Sequence, residues 1–265
     1  KSRTPMKPGQ RHVIFDLDGT IFDTEFEVSR ITADIAAEKG AAMPVEDVFR
    51  TFAGLSGHDK FKGIGASCGL TFNAEELSAM NDEHEARKQQ IYYRPSIPVV
   101  PGVPEVLEAL QAAGDVLSIG SSNPTTRSRL GLGKENLLRY FGDRLYGPDL
   151  VGERKKPDPA VFQRAMHEQG SDPRHTVVIE DTEPGIVAGY RAGAFVIAYL
   201  DPRFGNGAAA QKKEQSFRAA GANAVVRDFR DIPKVMPAAD AAPQASRKPP
   251  QKPQPFSSNP CRRIT

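Results

Sequence analysis

Two carboxylates, Asp16 and Asp18, stand two residues apart directly after the apolar segment His12–Phe15. Such a segment is typical of a buried strand, and Gly19 allows a sharp turn after it. Side chains two residues apart in an extended segment point to the same face, so both acids can reach one substrate. The pair can supply a nucleophile, a proton donor and part of a metal site. An ordinary turn with a helix N-cap would explain the same residues, and the other motifs must decide.

A second pair of acids, Glu180 and Asp181, follows the apolar segment 176–179. Mg²⁺ is usually held by one or two carboxylates together with waters and substrate phosphate. Two adjacent buried acids are costly without a cation, so this pair predicts a metal site. Asp181 is the candidate for a direct ligand, whereas Glu180 could act through a water or as a supporting acid.

Two further segments carry groups that suit an anionic substrate. Ser121, Ser122 and Asn123 close an apolar segment, although Ser-Ser-Asn-Pro is also an ordinary turn. Lys156 directly precedes a Pro-Asp-Pro turn, and its neighbour Lys155 offers the same charge. Because a pair of lysines is often only a solvated loop, the assignment of Lys156 depends on the surrounding pattern.

These four motifs, in this order, resemble those of the haloacid dehalogenase-like hydrolase superfamily, in its branch of phosphatases and β-phosphoglucomutase-like proteins with a helical cap. The resemblance covers residues 12 to about 232. It implies that Asp16 attacks phosphorus to form an aspartyl-phosphate. It also implies that Asp18 protonates the leaving oxygen and then deprotonates the hydrolytic water, while Lys156 neutralises charge on Asp16 and on the phosphoryl group.

The resemblance further implies a set of binding groups. Mg²⁺ is the implied cofactor, and its ligands are Asp16, Asp18 through its backbone carbonyl, Asp181 and Glu180. The implied phosphate-binding residues are Asp16, Thr20, Ser121, Ser122, Asn123 and Lys156. The implied catalytic residues are Asp16, Asp18, Lys156 and Ser121.

The elements that must position these groups alternate between strand and helix. Apolar segments predict strands at His12–Phe15, Val116–Gly120, 176–179, 195–200 and Ala224–Val226. Helical patterns occur at 104–113, 159–168 and 184–192. Such alternation predicts an α/β fold with a Rossmann-like, doubly wound parallel sheet. Open sheets of this kind bind ligands beyond the carboxyl ends of their strands, which is where both acid pairs fall.

Residues 22–97 interrupt this alternation and contain no convincing strand. The segment includes a long polar helix, Ala74–Ile91, and it predicts an all-helical cap inserted between the core segments 12–21 and 98–232. Within the cap, three residues could meet a second anionic or hydroxyl group of the substrate, namely Arg50, His58 and Lys60. A simple junction between two helices explains them equally well.

Asp18 narrows the expected chemistry. Dehalogenases and phosphonate hydrolases of this fold lack the second acid, so its presence favours phosphate esters. The expected substrate is a small phosphorylated metabolite, such as a sugar phosphate or phosphoglycolate. Thr20 favours water as the acceptor, and therefore a phosphatase, over a sugar hydroxyl as in β-phosphoglucomutase. A catalytically silent binding module is the remote alternative, since it would be expected to have lost Asp16 or Asp18.

Charge and composition argue against several partners. The net charge is +2, but each end of the chain carries +4 and residues 12–236 carry −6, which disfavours a nucleic-acid partner. No apolar stretch approaches the roughly 18 residues that a membrane span requires.

The two cysteines, Cys68 and Cys261, argue against a disulfide framework and favour the cytoplasm. The proline-rich segment 237–265 predicts a disordered tail, and the sequence makes no prediction of the oligomeric state.

Overall fold

The computed structural model describes Met6 and residues 10–238. The described residues form two compact units, one made of the residues up to 23 together with 96–238, the other of 24–95. The tail predicted at 237–265 lies almost wholly outside the described residues, and so does Cys261. Among the described residues, no helix is both long enough and apolar enough to cross a membrane.

The larger unit contains a parallel β-sheet. Its strands are β1 (His12–Phe15), β2 (Val116–Gly120), β3 (Leu145–Tyr146), β4 (Thr176–Glu180), β5 (Phe195–Tyr199) and β6 (Ala224–Val226). The sheet has six strands in the order β3-β2-β1-β4-β5-β6. Strand β1 lies near the middle of the sheet, and the chain adds β2 and β3 on one side of it and β4, β5 and β6 on the other. This order confirms the predicted doubly wound α/β class.

Helices make up the smaller unit and flank the strands of the larger one in sequence. The smaller unit contains α1 (Glu25–Glu38), α2 (Val45–Phe52), α3 (Gly57–Ser67) and α4 (Ala74–Ile91). The larger unit contains α5 (Val103–Ala112), α6 (Thr125–Lys134), α7 (Leu138–Phe141), α8 (Ala160–Gln169), α9 (Glu183–Arg191), α10 (Ala208–Ala220) and α11 (Ile232–Val235).

The register of the central strands decides which side chains meet. Phe15 of β1 aligns with Ile119 of β2 and with Ile179 of β4. The amide of Asp16 then donates to the carbonyl of Ile179 at 2.9 Å. These strands are buried along most of their length, as expected for a parallel sheet covered on both faces. The residues after β1, β2 and β4 therefore lie side by side at the carboxyl edge of the sheet.

Local signals explain which elements the sequence predicts well. Helix α4 begins at the predicted residue because Asn73 accepts from the amide of Glu76, whose carboxylate accepts from the amide of Asn73, a reciprocal capping box. Strand β4 extends one residue beyond the prediction, to Glu180. Strand β3 has only two residues, Leu145 and Tyr146, too few for a pattern along the chain, and the sequence does not predict it.

Candidate active site

Buried and half-buried polar residues gather at the carboxyl edge of the sheet. Asp16 and Asp18 follow β1, Ser121 follows β2, and Glu180 ends β4 with Asp181 next to it. Each position comes directly from the end of a strand, which is why the motifs converge although they are distant in sequence. Lys156 comes instead from the loop before α8.

Lys156 lies between two buried carboxylates. Its Nζ donates to Glu180 Oε1 at 2.6 Å and makes a still closer hydrogen bond to Asp16 Oδ1. The same Nζ lies 4.9 Å from the centre of the Phe162 ring. The side chain of Lys156 is only 5% exposed, whereas Lys155 is exposed to solvent. Of the two adjacent lysines, Lys156 is the one that contacts the acids.

The charges in this cluster are not balanced by the lysine alone. Burial lowers the pKa of Lys156, but the carboxylates of Asp16 and Glu180 outweigh burial and raise it, so the ammonium stays charged. Burial also raises the pKa of Asp16 to about 8, despite the opposing effect of Lys156, and the charge of Glu180 adds to the rise. A cation beside Asp16 would lower the pKa of Asp16 and stabilise its carboxylate form. The electrostatics of the site therefore favour the binding of a cation.

The donor set suits a hard divalent cation. Carboxylate oxygens of Asp16, Glu180 and Asp181 lie within 4.8 Å of one another. Glu180, however, is already engaged, because its Oε2 accepts from the amides of Asp181 and Thr182 at 3.0 and 2.9 Å and from the Thr182 hydroxyl at 2.9 Å, and its Oε1 accepts from the lysine. This geometry favours Asp16 and Asp181 as carboxylate ligands and Glu180 as a supporting acid.

The start of helix α9 holds Glu180 in place. The hydroxyl of Thr182 accepts from the amide of Gly185 at 3.2 Å and so caps the helix. A Cβ atom at Gly185 would lie 1.7 Å from Glu180 Oε1, so only glycine leaves room for the carboxylate. Neither Thr182 nor Gly185 is a predicted site residue, although the pattern of a threonine three residues before a glycine at a helix start is visible in the sequence.

Thr20 contacts Asp181, the candidate metal ligand after β4. It is fully buried, and its Oγ1 donates to Asp181 Oδ1 at 2.9 Å. The hydrogen bond ties the segment after β1 to the segment after β4. The sequence resemblance implies that Thr20 binds phosphate, whereas in this arrangement its hydroxyl donates to Asp181.

Asn123 connects Ser121 to Asp18. Its amide nitrogen in the backbone donates to Ser121 Oγ at 3.0 Å, and its side-chain Nδ2 donates to Asp18 Oδ2 at 2.6 Å. Ser121 is buried and Ser122 is exposed. Arg127, which the sequence does not single out, donates from Nη1 to Asn123 Oδ1 at 2.9 Å.

The three candidate substrate residues of the smaller unit have different surroundings. Arg50 is exposed in the last turn of α2. In the first turn of α3, His58 is exposed and Lys60 is buried. Ser56 caps that helix by accepting from the amide of Asp59. A role of these residues in substrate binding stays a prediction.

Comparison with known proteins identifies the family. The family of haloacid dehalogenase-like hydrolases matches residues 13–199. A 6-phosphogluconate phosphatase of Escherichia coli is 29% identical over 199 residues, which cover 72% of this chain and 83% of that protein. An N-acetylmuramic acid 6-phosphate phosphatase of Pseudomonas aeruginosa is 30% identical over 204 residues, with coverage of 72% and 83%.

A solved structure supports the same conclusion at the level of the fold. The crystal structure of a conserved haloacid dehalogenase-like protein of Agrobacterium tumefaciens superposes with a TM-score of 0.69 at 25% identity, covering 85% of this chain and 97% of that chain. The family match extends over more than half of the chain, and both curated relatives are phosphatases. This chain therefore belongs to the haloacid dehalogenase-like hydrolases and is an enzyme of their phosphatase branch.

Proposed function

We propose that this protein is a Mg²⁺-dependent phosphatase that hydrolyses small, sugar-derived phosphate monoesters through an aspartyl-phosphate on Asp16. The observation that carries the proposal is the position of the Lys156 ammonium between the buried carboxylates of Asp16 and Glu180, whose oxygens lie within 4.8 Å of a carboxylate oxygen of Asp181. Two relatives named for 6-phosphogluconate and N-acetylmuramic acid 6-phosphate support a sugar-derived substrate.

In the first half of the reaction, Asp16 is the nucleophile. One of its carboxylate oxygens forms a bond to phosphorus while the bond from phosphorus to the ester oxygen breaks. Asp18 donates a proton to that leaving oxygen. Lys156 offsets negative charge on the transferring phosphoryl group, and Ser121 donates a hydrogen bond to it.

In the second half, water attacks the aspartyl-phosphate. Asp18, now ionised, takes a proton from this water as the bond between phosphorus and the Asp16 oxygen breaks. Inorganic phosphate leaves, and both carboxyl groups return to their starting states. Mg²⁺ held by Asp16, Asp181 and the carbonyl of Asp18 would neutralise phosphoryl charge in both halves.

The test is phosphate release from p-nitrophenyl phosphate by the full chain, with and without Mg²⁺. We expect activity that EDTA removes and Mg²⁺ restores, and a loss of at least about 10³-fold in Asp16→Asn, as for the removal of a covalent nucleophile. If wild type and variant are equally inert and neither binds beryllofluoride, the proposal is wrong.

A substrate panel then tests the class of ester. We expect the highest kcat/KM for a sugar-derived acid phosphate or a hexose 6-phosphate, compared with nucleotides and phosphorylated amino acids. A reaction with β-glucose 1-phosphate and a trace of glucose 1,6-bisphosphate shows whether water or a sugar hydroxyl accepts the phosphoryl group. Free phosphate supports hydrolysis, whereas glucose 6-phosphate formed without free phosphate would identify a mutase.

A further inference from the structure

Helix α6 begins with a charge that its position does not favour. Arg127 lies in the first turn of α6, after Thr125, and that turn contains no acidic residue. The backbone amides at a helix start carry partial positive charge, which disfavours a cation there. A residue that breaks a local rule is often held by a functional contact, and Arg127 has such a contact.

Two consecutive hydrogen bonds connect Arg127 to Asp18, the proposed acid–base residue. Arg127 Nη1 donates to Asn123 Oδ1 at 2.9 Å, and Asn123 Nδ2 donates to Asp18 Oδ2 at 2.6 Å. A guanidinium has donors only, so the carboxamide oxygen must face Arg127. The amide nitrogen must then face Asp18, whose carboxylate accepts, so that Arg127 and Asp18 together hold the Asn123 side chain in one orientation.

The backbone of Asn123 and of Thr125 is held by residues outside α6. A Cβ atom at Gly147 would lie 2.4 Å from the carbonyl oxygen of Asn123, so the two segments are in close contact. Asp149 accepts from the amide of Thr125 at 3.0 Å and from its hydroxyl at 2.6 Å. With the backbone held, the remaining freedom of Asn123 is rotation of its side-chain amide, which Arg127 restricts.

We infer that Arg127 is a positioning residue that orients Asp18 through Asn123. The donor on Asn123 holds Asp18 Oδ2 and so fixes the rotation of the Asp18 carboxyl group. The inference rests on the proposed role of Asp18 as the acid. It extends the candidate site beyond the four motifs to Arg127.

A positioning role has a specific kinetic consequence. Protonation of the leaving oxygen by Asp18 increases the rate most for a poor leaving group and least for a good one. Losing the orientation of Asp18 should therefore slow phenyl phosphate far more than p-nitrophenyl phosphate, although the two substrates have similar shapes. General damage to the site would slow both substrates alike.

The experiment compares kcat/KM of the full chain for these two substrates in Arg127→Met, Arg127→Lys and Asp18→Asn. Arg129→Met is the matched control, since Arg129 lies on the same helix and pairs with the exposed Asp143. We expect Arg127→Met to lower kcat/KM about 10- to 100-fold for phenyl phosphate and less than about threefold for p-nitrophenyl phosphate, a part of the usual contribution of a general acid.

Arg127→Lys, which keeps a donor, should recover most of the phenyl phosphate activity, and Arg129→Met should match wild type on both substrates. Equal losses on the two substrates in Arg127→Met, or no loss, would overturn the inference while leaving the phosphatase proposal intact. If Asp18→Asn itself slows the two substrates equally, the proposed acid is wrong, and the positioning role is wrong with it.

Discussion

Lys155 and Lys156 are neighbours in the chain that the structure places in opposite environments. The exposed Lys155 contacts solvent, while Lys156 lies 2.6 Å from Glu180 and still closer to Asp16. A buried cation paired with two carboxylates contributes to stability, and in the proposed reaction it also offsets phosphoryl charge. The two lysines therefore form a matched pair for testing the charge at the site.

Removing the buried charge should affect activity and stability together. We expect Lys156→Met to lower kcat/KM by about 10²- to 10³-fold, as for the loss of one group that stabilises transition-state charge. It should also destabilise the fold by about 3 kcal/mol, because buried carboxylates lose their partner. Steady-state kinetics and urea unfolding measure both effects. Lys155→Met is the control, and a comparable loss in it would contradict the assignment.

At the scale of elements, the short edge strand β3 positions the loop after β2. The amide of Ser121 donates to the carbonyl of Tyr146 at 3.0 Å. Gly147, which follows β3, lies against the backbone of Asn123. The active-site loop thus depends on an element of two residues that has no recognisable pattern of its own.

Gly147→Ala tests this dependence. Its Cβ would lie 2.4 Å from the backbone oxygen of Asn123, so the loop must move. We expect a loss of about 1–3 kcal/mol in stability, as for other overpacked sites, and at least a tenfold loss in kcat/KM, since small misplacements are costly in catalysis.

Gly133→Ala is the control for this prediction, because Gly133 lies in α6 and a Cβ there would meet nothing within 4 Å. It should keep full activity and gain up to about 1 kcal/mol from helix propensity. Equal kinetic effects in the two alanine variants would show that the contact between the loops is unimportant.

The helices and strands that the sequence predicts correctly have signals within their own residues. Helix α4 has its capping box, and β1 and β4 have continuous apolar segments. Helices α6 and α10 have no clear apolar periodicity, because they are rich in small and charged residues. Helix α10 is nevertheless rich in residues that favour helices, such as Ala, Lys and Glu, whereas α6, which contains Thr, Ser and Gly, depends on contacts such as those with β3.

At the scale of the whole molecule, a buried histidine joins parts of the core far from the candidate site. His12, at the start of β1, is fully buried. Its Nε2 lies 2.6 Å from Ser118 Oγ on β2, and its Nδ1 lies 2.8 Å from Ser171 Oγ, beyond α8. Burial, with a smaller effect of the charge on Arg144, lowers the pKa of His12 from 6.5 to about 3.

This histidine should make stability depend on pH. Between pH 6.5 and about 3, the unfolded chain binds a proton at His12 that the folded protein does not bind, so the contribution of His12 is complete above pH 6.5 and is lost as the pH falls. At pH 5 the loss should be about 2 kcal/mol. Urea unfolding of wild type and His12→Gln, followed by circular dichroism at pH 7 and pH 5, measures it.

His12→Gln is expected to be less stable than wild type at pH 7, because it loses the hydrogen bonds of the imidazole to Ser118 and Ser171. The stability difference between the two proteins should shrink by about 2 kcal/mol at pH 5, since only wild type has the titrating group. A difference that does not change with pH would contradict a neutral buried imidazole.

The sequence by itself determined the family, the α/β class and the strand ends from which the acids project, because these depend on residue type and spacing over short stretches of chain. Only the tertiary structure decided that Glu180 is engaged by donors on both oxygens and that Arg127 reaches Asp18 through Asn123. The contact from Asn123 to Asp18 joins positions 105 residues apart, and such contacts follow from strand register and loop packing, which no local pattern encodes.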